Sequence, residues 1–423
     1  MKKAYFIGIG GIGMSALAQL LAHEGVAVSG SDRDASPVTA MLEKQGVAVA
    51  IPQHAENVPA DADTVIYSDA VPATHPERVR AAELGIPQFS YFQMLGKVSE
   101  GKRTVAVAGT HGKTTTTGML SKILIDAGAS PTAIVGSLMK DFGSNYAAGE
   151  SDLLAVEACE YRDHLLELSP EVLVINNLEW DHTDFFPSLE VLQETFRKAI
   201  RRVPAHGTIV TNPKDQNIAP LLEGALARVV DYTKEPAYKL ALPGDFNQQN
   251  ARAAAAAARI ILADLDETTL SKSLESFQGT WRRFEYKGKT SNGADIFDDY
   301  AHHPTAVRET LKALRERTNG KVFVAFHPHL YSRTRDLFED FAAAFGGADK
   351  TFIAPIYAAR ETDDGTVSSE KLAARIREHG VDAVAADFDG IGRAFAEAGP
   401  GDVVMTMGAG DIYKVADMLA REA

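Results

Sequence analysis

The stretch best suited to chemistry is residues 104–117, TVAVAGTHGKTTTT. Its β-branched apolar start leads to two glycines, Gly109 and Gly112, and then to Lys113 and a run of threonines. This order is typical of a strand, a phosphate-binding loop and a helix N-terminus, where backbone N–H groups and the helix dipole attract anions. The strict motif begins with a further glycine at the place that Val107 occupies here. The loop is therefore a shortened form, and we predict nucleotide binding rather than a plain glycine turn.

A second glycine-rich loop lies close to the N-terminus, with Gly8, Gly10 and Gly13 spaced as in dinucleotide-binding proteins. An acidic residue, Asp32, follows about 20 positions further on, where such proteins contact a ribose hydroxyl. Taken alone, this pattern suggests NAD. Any diphosphate bound at a helix N-terminus would use the same glycines, so the pattern leaves the identity of the nucleotide open.

Two predicted strands of the central region, 153–156 and 172–175, end in polar clusters. Ligands of parallel α/β sheets bind beyond the carboxyl ends of strands, so we expect Glu157 and His182 to face the phosphate loop. A carboxylate and an imidazole beside the Thr114 hydroxyl suit a divalent cation that bridges phosphates. Each residue alone could be a surface carboxylate or a capping or buried histidine. Their shared position in one nucleotide domain favours a metal site.

Asparagines and arginines further along the chain give weaker indications. Asn247 and Asn250 flank a predicted helix start, where asparagine usually caps the helix and base recognition is the alternative. Arg282 and Arg283 precede a change in composition, and arginine suits a bidentate grip on phosphate. Tandem arginines are more often solvated, so both interpretations stay open.

The C-terminal region carries four histidines in the polar segments after two predicted strands: His302, His303, His327 and His329. Two histidine pairs without cysteines at ligand spacing are weak evidence for zinc. We favour a pocket that holds anions or carboxylates through Arg333 and Arg335. Loops that only cap helices are the alternative for each of these segments.

Strands and helices alternate along the chain, which predicts α/β domains with parallel sheets. The composition changes near residues 98–103 and again near residue 285, so we predict three domains, 1–98, 99–284 and 285–423. The first glycine loop then belongs to the first domain, and the phosphate loop lies at the start of the second.

The composition is that of an ordinary globular protein of 423 residues, with 45% hydrophobic residues and a formal net charge of -14. The acidic balance argues against nucleic acid or an anionic membrane as a partner. The single cysteine, Cys159, fits a reducing compartment. The start MKKAYFIGIGGIGMS has the charge of a signal peptide, but glycines interrupt its apolar run. We therefore expect a cytoplasmic protein without a membrane-spanning segment.

The motifs taken together resemble those of a known family. After the first glycine loop come GTHGKTTTT, EACEYR, NNLEWDH, FNQQNA, WRRF, DDYAHHPT, PHLYSRTRDLFEDF and GAGDIYKV. This set, which extends over essentially the whole chain, resembles the Mur ligases of peptidoglycan synthesis. The resemblance implies a Rossmann-like N-terminal domain that binds a UDP substrate and a central P-loop ATPase-like domain that binds ATP and Mg²⁺. It also implies a C-terminal Rossmann-like domain that brings in an amino acid.

The resemblance further implies a reaction, the ATP-dependent ligation of L-alanine to the lactyl carboxylate of UDP-N-acetylmuramate. The reaction would pass through an acyl phosphate and release ADP and phosphate. A ligase of the same family that recycles murein tripeptide is the first alternative. An NAD-dependent oxidoreductase would leave the phosphate loop without a role, and a nucleotide-gated binding protein would bind ATP without ligation. We expect small-molecule partners, no nucleic acid, no membrane, and a monomer or weak homodimer.

The resemblance also implies a role for each matching residue. Lys113 would hold the β- and γ-phosphates, Thr114 one Mg²⁺, and Glu157 with His182 a second Mg²⁺. The other nucleotide contacts would be Gly109, Thr110, His111, Gly112, Thr115, Asn250 at the adenine, Arg283 at the γ-phosphate, and Asp299. The UDP-sugar contacts would be Gly10, Gly11, Gly13, Met14, Ser15, Asp32 and Ser68. The closing face and the alanine site would comprise Asp299, Tyr300, His302, His329 and Arg333. The catalytic residues among these would be Lys113, Glu157, His182, Arg283, His302 and Arg333.

Four positions depart from the family pattern. Phe196 occupies the place of a carbamylated lysine in other members, which agrees with an alanine-adding ligase. Leu330 stands where some members have arginine, so the grip on the alanine carboxylate would rest more on Arg333. Phe246 replaces an expected histidine near the adenine, and Trp281 replaces a small residue before the arginines.

Overall fold

The structure, a computed structural model, describes residues 1–421. Its strands are β1 Lys3–Ile7, β2 Ala27–Ser31, β3 Ala48–Ala50, β4 Thr64–Tyr67, β5 Gln88–Ser90, β6 Arg103–Ala108, β7 Thr132–Met139, β8 Ser144–Ala147, β9 Leu153–Glu157, β10 Val172–Ile175, β11 Thr208–Thr211, β12 Arg228–Asp231, β13 Glu285–Lys289, β14 Asp295–Asp299, β15 Val322–Phe326, β16 Lys350–Ile353, β17 Asp382–Ala385 and β18 Val403–Met407.

The helices are α1 Ile12–His23, α2 Pro37–Lys44, α3 Pro76–Glu83, α4 Tyr91–Ser99, α5 Lys113–Asp126, α6 Leu189–Arg202, α7 Asp245–Ile261, α8 Glu267–Ser276, α9 Pro304–Arg315, α10 Tyr331–Asp336, α11 Phe338–Ala342, α12 Ser369–Glu378, α13 Phe388–Ala396 and α14 Tyr413–Arg421. Short 3₁₀ helices cover Ala55–Asn57, Tyr161–Glu167, Ala219–Leu221 and Tyr232–Lys234. Among the described residues, no helix has the length and apolar character needed to cross a membrane.

The strands of residues 1–421 form three sheets, which lie in two compact units. The first unit comprises Met1–Leu178, Gln193–Lys239 and Asn250–Phe277 and contains the first two sheets. The second unit comprises Glu179–Leu192, Leu240–Gln249 and the chain from Gln278 onward, and contains the third sheet. The three sheets confirm the predicted class of three α/β domains. Three segments of the predicted second domain, 179–192, 240–249 and 278–284, belong to the second unit, so the exact domain boundaries stay predictions.

The first sheet has the strand order β3-β2-β1-β4-β5, and each neighbouring pair is parallel. Its central strand is an unbroken apolar run in which Tyr5, Phe6 and Ile7 are buried, as expected for a parallel strand covered on both faces. The order reverses between β1 and β4, as in the first five strands of a Rossmann fold, which confirms the prediction of a Rossmann-like domain. The loop 8–13 joins β1 to α1 and therefore lies at the point where ligands bind in such sheets.

The second sheet has the order β12-β11-β10-β6-β9-β7-β8, and within it β7 and β8 form the antiparallel pair. Strand β6 leads into the phosphate loop and pairs in parallel with β10 on one side and β9 on the other. The carboxyl ends of β9 and β10 therefore lie beside the phosphate loop. This register brings Glu157, the last residue of β9, and the residues after Ile175 to the same edge of the sheet.

The third sheet has the order β13-β14-β18-β15-β16-β17, with β13 antiparallel to β14 and the other pairs parallel. Its buried side chains form two clusters, one around Phe326, Phe341 and Phe345 and the other around Phe352 and Phe395. Because β14, β18 and β15 are adjacent and parallel, the polar segments that follow these three strands lie at one edge of the sheet.

One boundary prediction near the sites is wrong. Helix α7 begins at Asp245, so Asn247 and Asn250 lie inside the helix and do not flank its start. Helix α1 begins at Ile12, with Gly11 as its N-cap. Where the composition changes, α4 extends to Ser99 and β6 starts at Arg103.

Candidate functional site

The first glycine loop is held by the protein's own hydrogen bonds. Gly8 has a φ of 82°, in the left-handed region that favours glycine, and its N–H donates to the Ser31 carbonyl at 2.9 Å. The Gly10 N–H donates to Oδ2 of Asp32 at 2.7 Å. A side chain at Gly8 would lie 3.3 Å from the Cβ of Ser68, which follows β4. Asp32 therefore shapes the loop, and a contact between Asp32 and a ligand stays a prediction.

Three predicted UDP-sugar contacts lie in helix α1 and pack against protein. Met14 and Ser15 are buried, and the Ser15 hydroxyl donates to the Ile12 carbonyl at 2.9 Å. A side chain at Gly13 would come within 2.7 Å of the Tyr91 ring. This packing gives no support to ligand contacts by the side chains of Met14 and Ser15. Gly10 and Gly11 are the predicted contacts that lie in the loop itself.

A buried amide connects helix α1 to the second sheet of the same unit. Asn145 of β8 is completely buried, and its Nδ2 donates to Oγ of Ser15 at 3.1 Å. Its Oδ1 accepts from Nε2 of Gln19 at 3.2 Å, and the Gln19 side chain in turn accepts from the Ser144 hydroxyl at 3.1 Å. A fully bonded buried polar network fixes one geometry, so the helix behind the first glycine loop is tied to the sheet that carries the phosphate loop.

The phosphate loop owes its shape to two glycines and to the end of a neighbouring strand. Gly109 and Gly112 have φ values of 121° and 80°, which L side chains rarely adopt. The His111 N–H donates to Oδ1 of Asn177 at 2.8 Å, and the Asn177 Nδ2 donates back to the His111 carbonyl at 3.2 Å. Because Asn177 lies two residues beyond the end of β10, the parallel pairing of β10 with β6 fixes the loop.

Lys113 begins helix α5, and its ammonium group lies against the loop. Nζ donates to the carbonyls of Gly109 at 2.6 Å and Thr110 at 3.2 Å, and to Oε1 of Glu160 at 3.0 Å. The Lys113 and Glu160 side chains are only 13% and 1% exposed. Burial by itself would lower the pKa of Lys113, but nearby acidic groups, Glu160 foremost, outweigh burial and raise that pKa. The loop therefore holds a lysine cation at a helix N-terminus, which suits an anionic ligand.

The first unit also contains oxygen ligands of the kind that Mg²⁺ prefers. Thr114 and Thr115 are buried in the first turn of α5. Glu157 accepts a hydrogen bond at Oε2 from the Gly136 N–H at 2.9 Å, and a side chain at Gly136 would overlap this carboxylate. A hydroxyl and a carboxylate are hard oxygen donors, so Thr114 and Glu157 fit the predicted ion chemically. The third predicted ligand, His182, belongs to the second unit.

Asn250 of α7 contacts the helix that follows the phosphate loop. Its Oδ1 accepts from the Thr116 hydroxyl at 3.3 Å, and a side chain at Gly112 would lie 2.1 Å from the same oxygen. Asn247 uses its Nδ2 to donate to the Pro243 carbonyl at 2.7 Å. Asn250 therefore limits which residues the phosphate loop tolerates, and its contact with adenine stays a prediction.

In the second unit, Asp181 brings together four residues of the predicted site. Its Oδ1 accepts from Nε of Arg333 at 2.8 Å and from the His182 N–H at 2.6 Å. Its Oδ2 lies 3.8 Å from Nε2 of His302. Nη1 of Arg333 lies 3.2 Å from Nδ1 of His329. The sequence prediction did not include this central carboxylate.

The charges of this cluster follow from burial and from the arginine. Burial would raise the pKa of Asp181, but Arg333 and the surrounding histidines hold that pKa well below its ordinary value. Burial and Arg333 together hold the pKa of His302 well below its ordinary value, and they lower the pKa of His329 to about 4. At neutral pH the cluster therefore contains an arginine cation, an aspartate anion and two neutral imidazoles.

The tandem arginines have different surroundings. Arg282 is buried and paired with Asp298, with 2.8 Å between Nε and Oδ2, so the alternative of a solvated arginine does not hold at this position. The guanidinium carbon of Arg283 lies 4.9 Å from the centre of the Tyr300 ring. Asp299 is buried as well, and burial raises its pKa to about 6. The predicted residues Arg283, Asp299 and Tyr300 thus lie at the start of β13 and the end of β14.

The four residues that depart from the family pattern are packed in the protein interior or against aromatic rings. Phe196 is completely buried in the first unit. Trp281 makes an edge-to-face contact with Tyr413, with ring centres 5.5 Å apart, and Phe246 packs against the core of the second unit. Leu330 is 2% exposed and has a φ of 73°, an unusual conformation for a residue with a side chain. Phe196, Phe246 and Leu330 fill space with apolar side chains and offer no polar group to a ligand, whereas Trp281 keeps an indole N–H donor.

Sequence reasoning missed several residues that hold the sites together. They are Asn145, Glu160, Asn177 and Asp181. Three of them lie inside motifs already noted, since Glu160 belongs to EACEYR, and Asn177 and Asp181 belong to NNLEWDH. A search for acidic residues that could neutralise Lys113 and Arg333 would have selected Glu160 and Asp181, although their pairing partners are distant in sequence.

By fold and site the chain has the architecture of an α/β protein that binds nucleotides through a phosphate loop. Three family models match it: "Mur ligase family, catalytic domain" over residues 3–103, "Mur ligase middle domain" over 107–239, and "Mur ligase, glutamate ligase domain" over 282–410. Together they account for most of the chain, in the order in which the three sheets occur.

Full-length relatives agree with these matches. The chain is 38% identical to a UDP-N-acetylmuramate–L-alanine ligase of Acetivibrio thermocellus, over 100% of this chain and 96% of that protein. It is 38% identical to a ligase of the same name from Clostridium botulinum, over 99% and 97% of the two chains. The crystal structure of the Thermotoga maritima UDP-N-acetylmuramate-alanine ligase is similar with a TM-score of 0.80, 28% identity, and 99% and 98% coverage.

A more distant structure shows the same fold. The murein peptide ligase of Psychrobacter arcticus has a TM-score of 0.76 at 23% identity, over 100% of this chain and 98% of that chain. The matches over the full length show that the chain belongs to the Mur ligase family. The resemblance inferred from the motifs is therefore confirmed.

Proposed function

We propose that this protein joins L-alanine to the lactyl carboxylate of UDP-N-acetylmuramate at the expense of ATP, as a step in peptidoglycan precursor synthesis. The observation that carries the proposal is the 38% identity, over the whole chain, to ligases named for this reaction. The geometry of the phosphate loop supports it, because Lys113 is a buried cation at the N-terminus of α5.

The proposed reaction has two steps, and each places negative charge on oxygen. In the first step a lactyl carboxylate oxygen bonds to the γ-phosphorus of ATP, the bond to the bridging oxygen breaks, and ADP leaves. In the second step the alanine amine bonds to the acyl carbonyl carbon and phosphate leaves. Lys113 stabilises the charge on the transferred phosphoryl group, because a fixed cation in a water-poor site interacts strongly with developing charge.

The amine of alanine must be unprotonated to attack, and His302 offers a neutral imidazole to which the amine N–H can donate a hydrogen bond. The Nδ1 of His302 lies 3.0 Å from the Tyr300 carbonyl, which can only accept, so Nδ1 carries the hydrogen and Nε2 carries the lone pair. Burial keeps this imidazole neutral. Arg333, fixed by Asp181, offers its planar guanidinium to the alanine carboxylate.

Thr114 and Glu157 would help to hold Mg²⁺, which when bound would neutralise phosphate charge and help to align the phosphoryl group. The chemical fit of a hydroxyl and a carboxylate in the first unit supports this part of the proposal. We further propose a cytoplasmic location and a monomer or weak homodimer, with small molecules as the only partners. The sequence composition supports the location and the small-molecule partners.

Phosphate release measured with purified protein tests the proposal. We expect release only when ATP, UDP-N-acetylmuramate and L-alanine are all present, with glycine and L-serine as slower substitutes for L-alanine. Release with murein tripeptide but not with L-alanine would instead identify a recycling ligase. Nucleotide binding without release in any combination would contradict ligation altogether, and a change in NADH absorbance during turnover would indicate an oxidoreductase.

A further inference from the structure

Arg282 connects three parts of the second unit through one buried guanidinium group. Its Nε and Nη2 donate to the two carboxylate oxygens of Asp298, at 2.8 and 3.5 Å. Nη1 donates to the Gly410 carbonyl at 3.0 Å, and Nη2 donates to the Gly408 carbonyl at 2.6 Å. The guanidinium carbon also lies 4.6 Å from the centre of the Tyr413 ring. One cation therefore holds the ends of β14 and β18 and the start of α14.

A buried ion pair of this kind adds little to the stability of a fold. A buried ion pair loses the hydration of both charges, and well-packed apolar residues of similar volume usually give equal or greater stability. Arg282 also has a φ of 59°, a conformation that non-glycine residues rarely adopt and that is concentrated at functional sites. Asp298 is held further by the Thr406 hydroxyl at 2.6 Å. We therefore infer that the Arg282–Asp298 pair serves to fix the positions of neighbouring groups rather than to stabilise the fold.

The ion pair fixes the positions of the residues that are its neighbours in sequence. The Tyr300 N–H donates to the Arg282 carbonyl at 2.7 Å, and the Arg283 guanidinium lies over the Tyr300 ring. The Phe284 N–H donates to Oδ2 of Asp299 at 2.7 Å. Each partner of the buried pair is thus followed directly by a residue of the predicted site, Arg283 after Arg282 and Asp299 after Asp298.

We propose that Arg282 is a positioning residue, which through Asp298 and the loop 408–410 sets the orientation of Arg283, Asp299 and Tyr300 for phosphoryl transfer. Arg282 is 3% exposed, so it acts through these neighbours and does not touch a substrate. The inference rests on the proposed ligase function. Lysine at this position would keep the charge but lose the planar fork that bonds the carboxylate and both carbonyls.

A double-mutant cycle on the full-length protein tests the inference. The variants are Arg282→Lys, Arg283→Ala and the combination, with Arg308→Lys, an exposed arginine of α9, as the matched control. We expect Arg282→Lys to lower kcat about 50-fold, since misplacement by about 1 Å can cost about 100-fold. The KM values for ATP and UDP-N-acetylmuramate should change less than about twofold. In the Arg283→Ala background the added effect of Arg282→Lys should fall below about threefold, because Arg283, the main residue through which it acts, is gone.

Additive losses in the cycle, or a kcat that falls only in proportion to the folded fraction seen by circular dichroism, would overturn the inference. If Arg282→Lys does not fold, Thr406→Val takes its place, because it keeps both charges and removes one bond to Asp298. Its kcat should fall about threefold in the parent and be unchanged in the Arg283→Ala background, and additive losses would again count against the inference. A parent enzyme without alanine-dependent phosphate release would instead refute the proposed function.

Discussion

The first unit contains two glycine loops of the same local design, and they use charge in opposite ways. Each loop joins a buried parallel strand to a helix, β1 to α1 and β6 to α5. In the first loop a carboxylate, Asp32, accepts a bond from the Gly10 N–H at 2.7 Å. In the second loop a cation, Lys113, donates to the Gly109 and Thr110 carbonyls. One loop therefore carries a negative side chain and the other a positive one.

The difference shows that glycine spacing alone does not define an anion site. A helix N-terminus attracts anions in both loops, but the side chain next to the loop adds to this attraction in one and opposes it in the other. We expect the second loop to bind the triphosphate tightly through charge. We expect the first loop to bind its diphosphate mainly through backbone shape, with Asp32 as part of that shape.

The sharpest test of the contrast is Lys113→Ala. Loss of the cation should lower kcat/KM for ATP about 1,000-fold, since one preorganised charged or hydrogen-bonding group contributes about 100- to 1,000-fold. Binding of UDP-N-acetylmuramate, measured by calorimetry without ATP, should change less than about twofold. Lys44→Ala, at an exposed position at the end of α2, is the control and should behave as the parent. A parallel loss of UDP-sugar binding would mean that the two loops form one site. It would contradict the proposal that they bind their ligands by different means.

Alanine substitutions at one glycine of each loop should show the next largest effect. Gly112 has a φ of 80°, and a side chain there would lie 2.1 Å from Oδ1 of Asn250, so Gly112→Ala should raise the Kd for ATP at least about 20-fold. Gly11 has a φ of −61°, and a side chain there would have its nearest neighbour at 3.4 Å. Gly11→Ala should therefore leave the Kd for ATP and the melting temperature unchanged. Equal ATP affinity in the Gly112→Ala and Gly11→Ala variants would show that ATP binding does not require glycine at position 112.

Local features of this protein were predictable from sequence, and long-range pairing was not. The bounds of Val172–Ile175 agree with the sequence prediction, because this strand is an apolar, mostly β-branched run between polar residues. Lys113 was predictable because its loop and its helix are contiguous in the chain.

The partners of the charged residues were not predictable, because they come from remote parts of the chain. Asp181 and Arg333 are 152 positions apart, and Asn145 and Ser15 are 130 positions apart. Such pairs depend on which strands become neighbours in a sheet and on where each strand ends. A single sequence identifies the ends of strands but not their neighbours, which is why Glu160 and Asp181 were missed although the residues beside them were selected.

The smallest effect should follow from Asp32→Asn, and it tests the first loop directly. Asparagine keeps an oxygen that can accept from the Gly10 N–H but removes the charge and the second carboxylate oxygen, which now accepts from the Arg33 N–H at 2.7 Å. One weakened hydrogen bond is worth about 1 kcal/mol, so the KM for UDP-N-acetylmuramate should rise about fivefold while kcat stays the same. Asp34→Asn, which removes only an exposed ion pair with Arg33, should leave both parameters unchanged. A fall in KM would show instead that the negative charge of Asp32 repels the diphosphate, in which case the first loop would obey the same electrostatic rule as the second.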